Sequence, residues 1–313
     1  MPSLAIARAA NTAKFSKLAY FPVAIFVGGT SGIGQATAEA FARHTSGNAH
    51  IIIVGRNKAA ADAIIASFPK PTLPEAKHEF VACDVSLMKN IQRTTSSLLT
   101  RLPKLNFLVL SPGLFNLNGR DETEEGIDRR LGLHYYARWK FIFDFLPLLR
   151  IAKDAGEDAK VLSVLGAGHG GQIDLDDLGM KKSYGLTRAG LTSPTYTDLM
   201  MESFAQQHPD IAFIHTSPGA VRTPILKRSH PVLGTIFSAL TPLLYPLTVS
   251  PEDCAEYTLY ALHQAEKGVA RRNTKGDDIG KSNYYGSEEA RVAIWGHTKA
   301  EIDRALSTAT SRG

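Results

Sequence analysis

Residues 23–37 read VAIFVGGTSGIGQAT, and this stretch decides the fold. Its first five residues are apolar, and their composition predicts one short buried strand. Three glycines follow in the spacing G-x-x-x-G-x-G, namely Gly28, Gly32 and Gly34. Residues 35–43 favour a helix, so the predicted order is strand, glycine turn and helix.

This order is typical of a phosphate-binding turn. Glycines allow the backbone to turn sharply and approach a pyrophosphate, and the start of a helix offers unpaired N–H groups and a positive dipole end. Three glycines in a loop can also form a turn and nothing more, but their place between a buried strand and a helix favours a nucleotide site. We therefore expect cofactor contacts from these residues of the turn: Gly28, Thr30, Ser31, Gly32, Ile33 and Gly34.

The glycine spacing resembles that of the short-chain dehydrogenase/reductase family and differs from the G-x-G-x-x-G dinucleotide fingerprint. The resemblance extends from about residue 23 to about residue 266. It implies an α/β fold with a doubly wound parallel sheet of the Rossmann type and helices on both faces. The chain has 313 residues, which one domain over residues 1–313 accounts for, with a short N-terminal extension (1–20) and a lid-like segment (225–250).

Composition excludes several other classes of protein. Hydrophobic residues make up 44% of the chain and charged residues 21%, as in ordinary globular proteins. The formal net charge is +5, but the basic residues are scattered, which argues against nucleic-acid binding. Cys83 and Cys254 lack metal-ligand spacing, so we predict no metal site and reduced thiols in the cytoplasm. No apolar stretch reaches about 18 residues, so no membrane-spanning segment is predicted.

The N-terminus allows two interpretations. Basic residues without any acidic one precede Glu39, which is how a transit peptide can look. The alternative is an extension that packs beside the first strand. We favour the extension, because the first strand follows almost at once.

The end of the second predicted strand, residues 51–54, bears on the choice of cofactor. NAD-binding folds carry an acid about 20 residues after the glycines, where it bonds the ribose hydroxyls. Gly55 stands at that place, and Arg56 offers a bidentate partner for a 2′-phosphate. NADP(H) is therefore the predicted cofactor, with Arg56 and Asn57 among its contacts. The alternative is a solvated arginine at the start of the next helix.

Three further segments that follow predicted strands resemble family motifs. Asp84-Val85, after the strand over residues 79–83, resembles the pair beside the adenine ring. Residues 111–113 stand where the family usually has Asn-Asn-Ala-Gly, and the glycine is kept. Residues 217–223 resemble the Pro-Gly loop. The resemblance thus implies these additional cofactor contacts: Asp84, Val85, Ser111, Gly113, Pro218, Gly219, Val221 and Thr223.

The catalytic half of the chain departs from the family pattern. The family's catalytic serine falls at Gly166, after the strand over residues 161–165. Its Tyr-x-x-x-Lys pair, in which lysine lowers the tyrosine pKa, has no counterpart at the expected distance before the Pro-Gly loop. Tyr184 and Arg188 have the spacing, with arginine in place of lysine, but lie about four residues too far upstream. This pair is the first candidate for proton transfer.

Other proton donors stay open. Ser193-Pro194 predicts a helix start, which would leave Tyr184 in the preceding loop. His134, on a predicted helix over residues 123–149, matches the family's relay asparagine, and its ordinary pKa near 6.5 suits proton transfer. The remaining alternatives are Tyr196, His169 and the absence of any group in this role.

An apolar segment covers residues 232–247, VLGTIFSALTPLLYPL, and is too short and too broken by proline to span a bilayer. The family places a substrate cover here, so we predict an apolar lid, with a membrane-surface contact as the alternative. The predicted partners are an apolar small molecule and, as a homodimer, a second copy of the chain.

Two functional hypotheses follow. In the first, the protein is an NADP(H)-dependent oxidoreductase that acts on a carbonyl or alcohol of an apolar small molecule through a rearranged proton donor. In the second, the fold is kept without hydride chemistry, and the apolar pocket serves an isomerase, a cyclase or a binding function. The glycine turn and Arg56 favour the first, whereas the missing serine, tyrosine and lysine favour the second. We adopt the first.

Overall fold

One sheet of seven parallel strands forms the centre of the protein. The computed structural model describes residues 1–115, 117, 119–225 and 248–308. The strands lie in the order β3-β2-β1-β4-β5-β6-β7, which confirms the doubly wound fold. They are β1 Val23–Val27, β2 His50–Gly55, β3 Lys77–Ala82, β4 Phe107–Leu110, β5 Lys160–Val164, β6 Ala212–Thr216 and β7 Gly268–Arg272.

Helices cover both faces of this sheet. A π-helical turn, Gly132–Tyr136, joins α5 to α6. No helix within the described ranges is both long and apolar enough to cross a membrane. The α-helices are α1 Leu4–Phe15, α2 Gly32–His44, α3 Lys58–Ser67, α4 Met88–Leu99, α5 Arg129–Leu131, α6 Ala137–Asp154, α7 Leu186–Gln207, α8 Pro251–Gln264 and α9 Glu288–Thr308.

The apolar strands separate two hydrophobic layers. All five residues of β1 are buried, as expected for a parallel strand with helices on both sides. Because side chains alternate along a strand, Ile25 belongs to the layer beneath α4, α6, α7 and α9, whereas Phe26 belongs to the layer beneath α1, α2, α3 and α8. The apolar runs of β1, β2, β4, β5 and β6 were recognisable in the sequence because both faces of these strands are buried, whereas β3 is only half-buried.

Several predicted boundaries are wrong. The helix predicted over residues 123–149 starts at Arg129, because the Asp128 carboxylate accepts the N–H groups of the first turn. Helix α7 starts at Leu186, so Pro194 lies inside it and does not begin it. A proline there leaves the carbonyl of Gly190 without its helical partner, and Gly190 lies on the exposed side of α7. Tyr184 does precede α7, as predicted.

Two elements are additions to the predicted fold. The N-terminal extension forms helix α1. Strand β7 has the sequence GVARR, which has no apolar run, and it forms through parallel pairing with β6. The predicted lid over residues 232–247 lies outside the described residues.

The glycine turn packs against the end of β4 without space for side chains. Gly28 has φ +81°, and a Cβ there would lie 2.9 Å from the nitrogen of Pro112. A Cβ at Gly34 would lie 2.2 Å from Ser111 Oγ and 2.5 Å from the carbonyl oxygen of Gly28. The turn therefore requires glycine both for its backbone angle and for its close approach.

Helix α1 packs on α2 and α8 through a buried polar contact. Asn11 donates through Nδ2 to the Glu256 carbonyl and to its carboxylate, each at 2.8 Å. Burial would raise the pKa of Glu256, but hydrogen bonds from His44, Asn11 and Arg43 outweigh it and lower the pKa to about 2. The stabilisation by Glu256 is thus present above its usual pKa of 4.5 and is lost as the pH falls through about 2.

Gly34→Ala should destabilise the protein, because the new methyl group has no room against Ser111 and Gly28. We expect a loss of roughly 1–3 kcal/mol in the free energy of unfolding, measured with denaturant. Gly190→Ala is the matched control, since nothing lies within 4 Å of a Cβ at this position in α7. It should raise the stability by roughly 0.5–1 kcal/mol. The same sign for both variants would contradict the packing described.

Asn11→Ala should lower the free energy of unfolding by roughly 1–3 kcal/mol, because it removes two buried hydrogen bonds to Glu256, one of them to a carboxylate. Arg8→Ala, on the same helix, removes an exposed ion pair with Asp253 and should change it by less than about 1 kcal/mol. Denaturant unfolding at pH 7 measures both. Equal losses of stability in the two variants would contradict the expectation that the buried contact of Asn11 stabilises the protein more than the exposed ion pair of Arg8.

Candidate functional site

A cleft of about 320 Å³ runs along the carboxyl ends of the strands. The strand order reverses around β1, which β2 and β4 flank, and such a switch point is where open α/β sheets bind ligands. Most of the residues predicted to contact the cofactor are brought together here. The lining consists of Gly28, Thr30, Ser31, Gly32, Ile33, Gly34, Gly55, Arg56, Cys83, Asp84, Val85, Ser111, Pro112, Gly113, Leu114, Leu133, Thr223, Pro224 and Ile225.

The loop after β6 meets the glycine turn through Thr223. Gly32 has φ +57°, and a Cβ there would lie 3.1 Å from Thr223 Cγ2. The other predicted members of the Pro-Gly loop do not line the cleft. Val221 bridges to Val249, and Gly219, with φ +70°, lies against Thr274. Pro218 presents its carbonyl oxygen to Cys254 Sγ.

The end of the cleft beside β2 and β3 carries the polar residues. A Cβ at Gly55 would lie 2.8 Å from Thr30 Cγ2, so this position has little room for an acid, and Arg56 follows it on the wall. Asp84 accepts hydrogen bonds from the backbone and hydroxyl of Ser86. Asn57 is not part of the lining, because its side chain caps α3 by accepting from Ala60 N–H.

The opposite end of the cleft lies beside β4 and the π-helical turn. Ser111 lines the cleft, and its hydroxyl donates to the carbonyl of Val27 at 3.1 Å. Leu133 lines the cleft, and the next residue, His134, lies behind Gly113. A Cβ at Gly113 would be 3.5 Å from His134 Nε2.

His134 is a neutral imidazole at physiological pH. Its Nε2 accepts the N–H of Leu114 at 3.4 Å, which assigns the proton to Nδ1. Burial, together with the positive charges of Arg138 and Arg130, lowers the pKa of His134 to about 3. It is therefore suited to orient the backbone at Leu114 and unsuited to supply a proton as imidazolium.

Tyr184 and Arg188 do not form the pair predicted from their spacing. Arg188 donates to Asp174 at 2.9 Å and to Ser183. The cation that hydrogen-bonds Tyr184 is Arg130, and burial nevertheless raises the pKa of this phenol. Their separation of four residues does not bring the side chains together, because Tyr184 precedes α7 and Arg188 lies within it.

Gly166, which the sequence analysis aligned with the family serine, packs against α7. A Cβ there would lie 3.2 Å from Pro194 Cγ. Tyr196 is buried, donates its hydroxyl to the carbonyl of Leu178, and has a pKa raised by burial. His169 is exposed. Neither Tyr196 nor His169 belongs to the lining of the cleft.

A buried network that the sequence analysis missed holds the loop after β5. The N–H of Gly166 donates to His215 Nε2 at 3.1 Å, and His215 Nδ1 lies 2.6 Å from Asp198 Oδ1. Arg271 pairs with the other oxygen of Asp198 at 3.0 Å and donates to the carbonyls of Gly280 and Ser282. No motif marks these residues, because they come from α7, β6 and β7.

Arg138 was also missed, although its place on an apolar helix face was a usable signal. It is 1% exposed and donates hydrogen bonds at the ends of two strands. Nε bonds the Leu133 carbonyl and Nη2 the Pro112 carbonyl. The acceptors of Nη1 are the Leu110 carbonyl, the Ser163 hydroxyl and the Val164 carbonyl.

Comparison with known proteins gives relatives along most of the chain. "Oxidoreductase AN1596" of Emericella nidulans is 33% identical over 90% of this chain and 93% of its own length. "Oxidoreductase andH" of Emericella variicolor is 33% identical over 88% of this chain and 80% of its own. Human "Polyprenol dehydrogenase" is 27% identical over 76% of this chain and 72% of its own.

Solved structures share the fold at lower identity. The 3-ketoacyl-(acyl-carrier-protein) reductase of Brucella melitensis complexed with NADH has a TM-score of 0.58 and 21% identity, covering 83% of this chain and 98% of its own. A short-chain dehydrogenase of Sphingobium yanoikuyae in complex with NADPH has a TM-score of 0.56 and 18% identity, covering 80% and 87%.

The model of the family described as short chain dehydrogenase matches residues 22–232, more than half of the chain. These residues include the glycine turn, the ends of β2, β3 and β4 and the loop after β6, which form most of the cleft. Together with the two fungal relatives, this match shows that the chain belongs to the short-chain dehydrogenase family of oxidoreductases.

Proposed function

We propose that the protein is an NADP(H)-dependent oxidoreductase acting on a carbonyl or alcohol group of an apolar small molecule. The observation that carries the proposal is the end of β2. Thr30 leaves little room for a side chain at Gly55, so an acid to bond the ribose hydroxyls is disfavoured there. Arg56 follows on the cleft wall, where a guanidinium can pair with a 2′-phosphate.

The cleft fits a dinucleotide along its length. Asp84, Val85 and Arg56 would hold the adenosine end, and the glycine turn would hold the pyrophosphate, since its glycines let the backbone approach the phosphates closely. This order leaves Gly113, Leu114 and Thr223 beside the nicotinamide, which supplies or accepts the hydride when bound. The solved relatives complexed with NADH and NADPH support a nicotinamide cofactor on this fold.

The apolar substrate is inferred from the nicotinamide end of the cleft. Its described walls include the apolar side chains of Leu114, Leu133, Pro224 and Ile225. A pocket with such walls favours a substrate that presents carbon rather than charge. The name of the human relative, a polyprenol dehydrogenase, supports an alcohol or carbonyl as the reacting group.

A second candidate function is non-redox chemistry or binding in the same cleft. The described lining favours it, because its titratable side chains, Arg56, Cys83 and Asp84, all lie at the end proposed for the adenosine. The end proposed for the nicotinamide therefore has no titratable side chain in the described lining that could donate a proton to a carbonyl. Gly166 has no hydroxyl, and Pro194 fills the space beside it. Formation of a product of unchanged oxidation state, without nicotinamide turnover, would select this candidate over the first.

Arg56→Ala should remove the preference for NADP(H) over NAD(H). A charge-assisted contact of roughly 1.5–3 kcal/mol implies about ten- to a hundredfold tighter binding of NADPH than of NADH in the unchanged protein. Fluorescence titration with both cofactors measures this ratio. Lys58→Ala is the control, because Lys58 is an exposed neighbour paired with Asp62, and its ratio should stay as before. Equal affinities in the unchanged protein would refute the assignment of Arg56.

Tyr184→Phe should leave NADPH-dependent turnover within a few-fold, because Tyr184 bonds Arg130 and lies outside the cleft lining. His134→Leu should lower turnover more strongly, since it releases the Leu114 N–H beside the nicotinamide end. Steady-state oxidation of NADPH with a panel of apolar ketones and aldehydes compares them. A loss of about 10²–10⁴-fold in Tyr184→Phe alone would restore Tyr184 as the general acid.

A further inference from the structure

Arg138 is a buried cation whose hydrogen-bond acceptors are neutral. Its guanidinium donates to four backbone carbonyls and the Ser163 hydroxyl, at 2.5 to 3.3 Å. Buried guanidinium groups are ordinarily paired with carboxylates. Within the described part of the chain, no carboxylate forms a hydrogen bond or an ion pair with Arg138, and burial lowers the pKa of its guanidinium to about 9. The group therefore stays cationic at neutral pH.

This charge lies directly behind the nicotinamide end of the cleft. Arg138 bonds the carbonyls of Pro112, which lines the cleft, and of Leu133, which also lines it. Its field reaches the adjacent His134, whose pKa it lowers together with Arg130. Both charges that act on His134 at this end are positive. The carbonyl dipoles orient toward the guanidinium, but dipoles do not cancel its net charge.

The two oxidation states of the cofactor differ in charge at this place. The reduced nicotinamide ring is neutral, and the oxidised ring carries one positive charge. A fixed cation in a water-poor wall disfavours the oxidised ring and leaves the reduced ring almost unaffected. Because both forms share the adenosine and phosphate groups, this difference appears in the ratio of their affinities.

Resting on the proposed NADP(H) function, we propose that Arg138 is a positioning residue whose unneutralised charge makes the protein bind NADPH more tightly than NADP⁺. The expected ratio is on the order of tenfold, the size that Coulomb's law gives for unit charges about 10 Å apart at an effective dielectric constant of about 20.

The test compares Arg138→Met with Arg138→Lys in the full chain. Both variants lose the forked hydrogen bonds, but only lysine keeps the charge. Titration calorimetry measures the dissociation constants of NADPH, NADP⁺ and adenosine 2′,5′-bisphosphate, which lacks the nicotinamide. The ratio between NADPH and NADP⁺ should persist in Arg138→Lys and fall to about one in Arg138→Met. A merely structural role would weaken all three ligands and leave the ratio unchanged.

A second pair of variants covers the case in which Arg138→Met does not fold. Ser163→Asp places a carboxylate beside the guanidinium and neutralises it, whereas Ser163→Asn adds a similar volume without charge. The ratio should collapse only in Ser163→Asp. Equal affinity for NADPH and NADP⁺ in the unchanged protein, or a ratio that survives both charge-removing variants, would overturn the inference while leaving the proposed function intact. Failure to bind either form would overturn both.

Discussion

The contact between the glycine turn and the end of β4 is the constraint on which the cleft depends. Gly28 and Gly34 approach Ser111 and Pro112 at distances that exclude any side chain. On its other side, the end of β4 is held by Arg138, which bonds the carbonyls of Leu110 and Pro112. This strand end is therefore clamped between a backbone turn and a buried cation. The glycine turn and the end of β4 are also the two central walls of the cleft, so these contacts leave the cleft largely preformed.

Most residues of the cleft lining could be predicted because their signals are local. A strand buried on both faces reads as an apolar run, and a turn that excludes Cβ atoms reads as a glycine pattern. The same locality placed Arg56 on the cleft wall, directly after β2. Where prediction rested on the motif alone it was less exact. Asn57 caps α3, and Gly219 lies against Thr274 outside the lining.

The surroundings of the residues considered for proton transfer could not be predicted, because their side chains take partners that are distant in sequence. The spacing of Tyr184 and Arg188 suits a helix, but the helix begins only at Leu186, and Asp174 holds the arginine. Pro194 was taken as a helix start, although α7 continues through it. Strand β7 lacks an apolar pattern and forms only because β6 offers its free edge.

The buried link from Gly166 through His215 and Asp198 to Arg271 has a consequence for how such a protein can evolve. Each of these side chains forms a hydrogen bond or an ion pair with the next, so the loss of any one leaves a buried charge or polar atom without its partner. Single substitutions in this network should therefore be removed by selection, and we expect its residues to change together during evolution. Asp198, His215 and Arg271, from three separate elements, therefore form one network that fixes the backbone of the loop after β5.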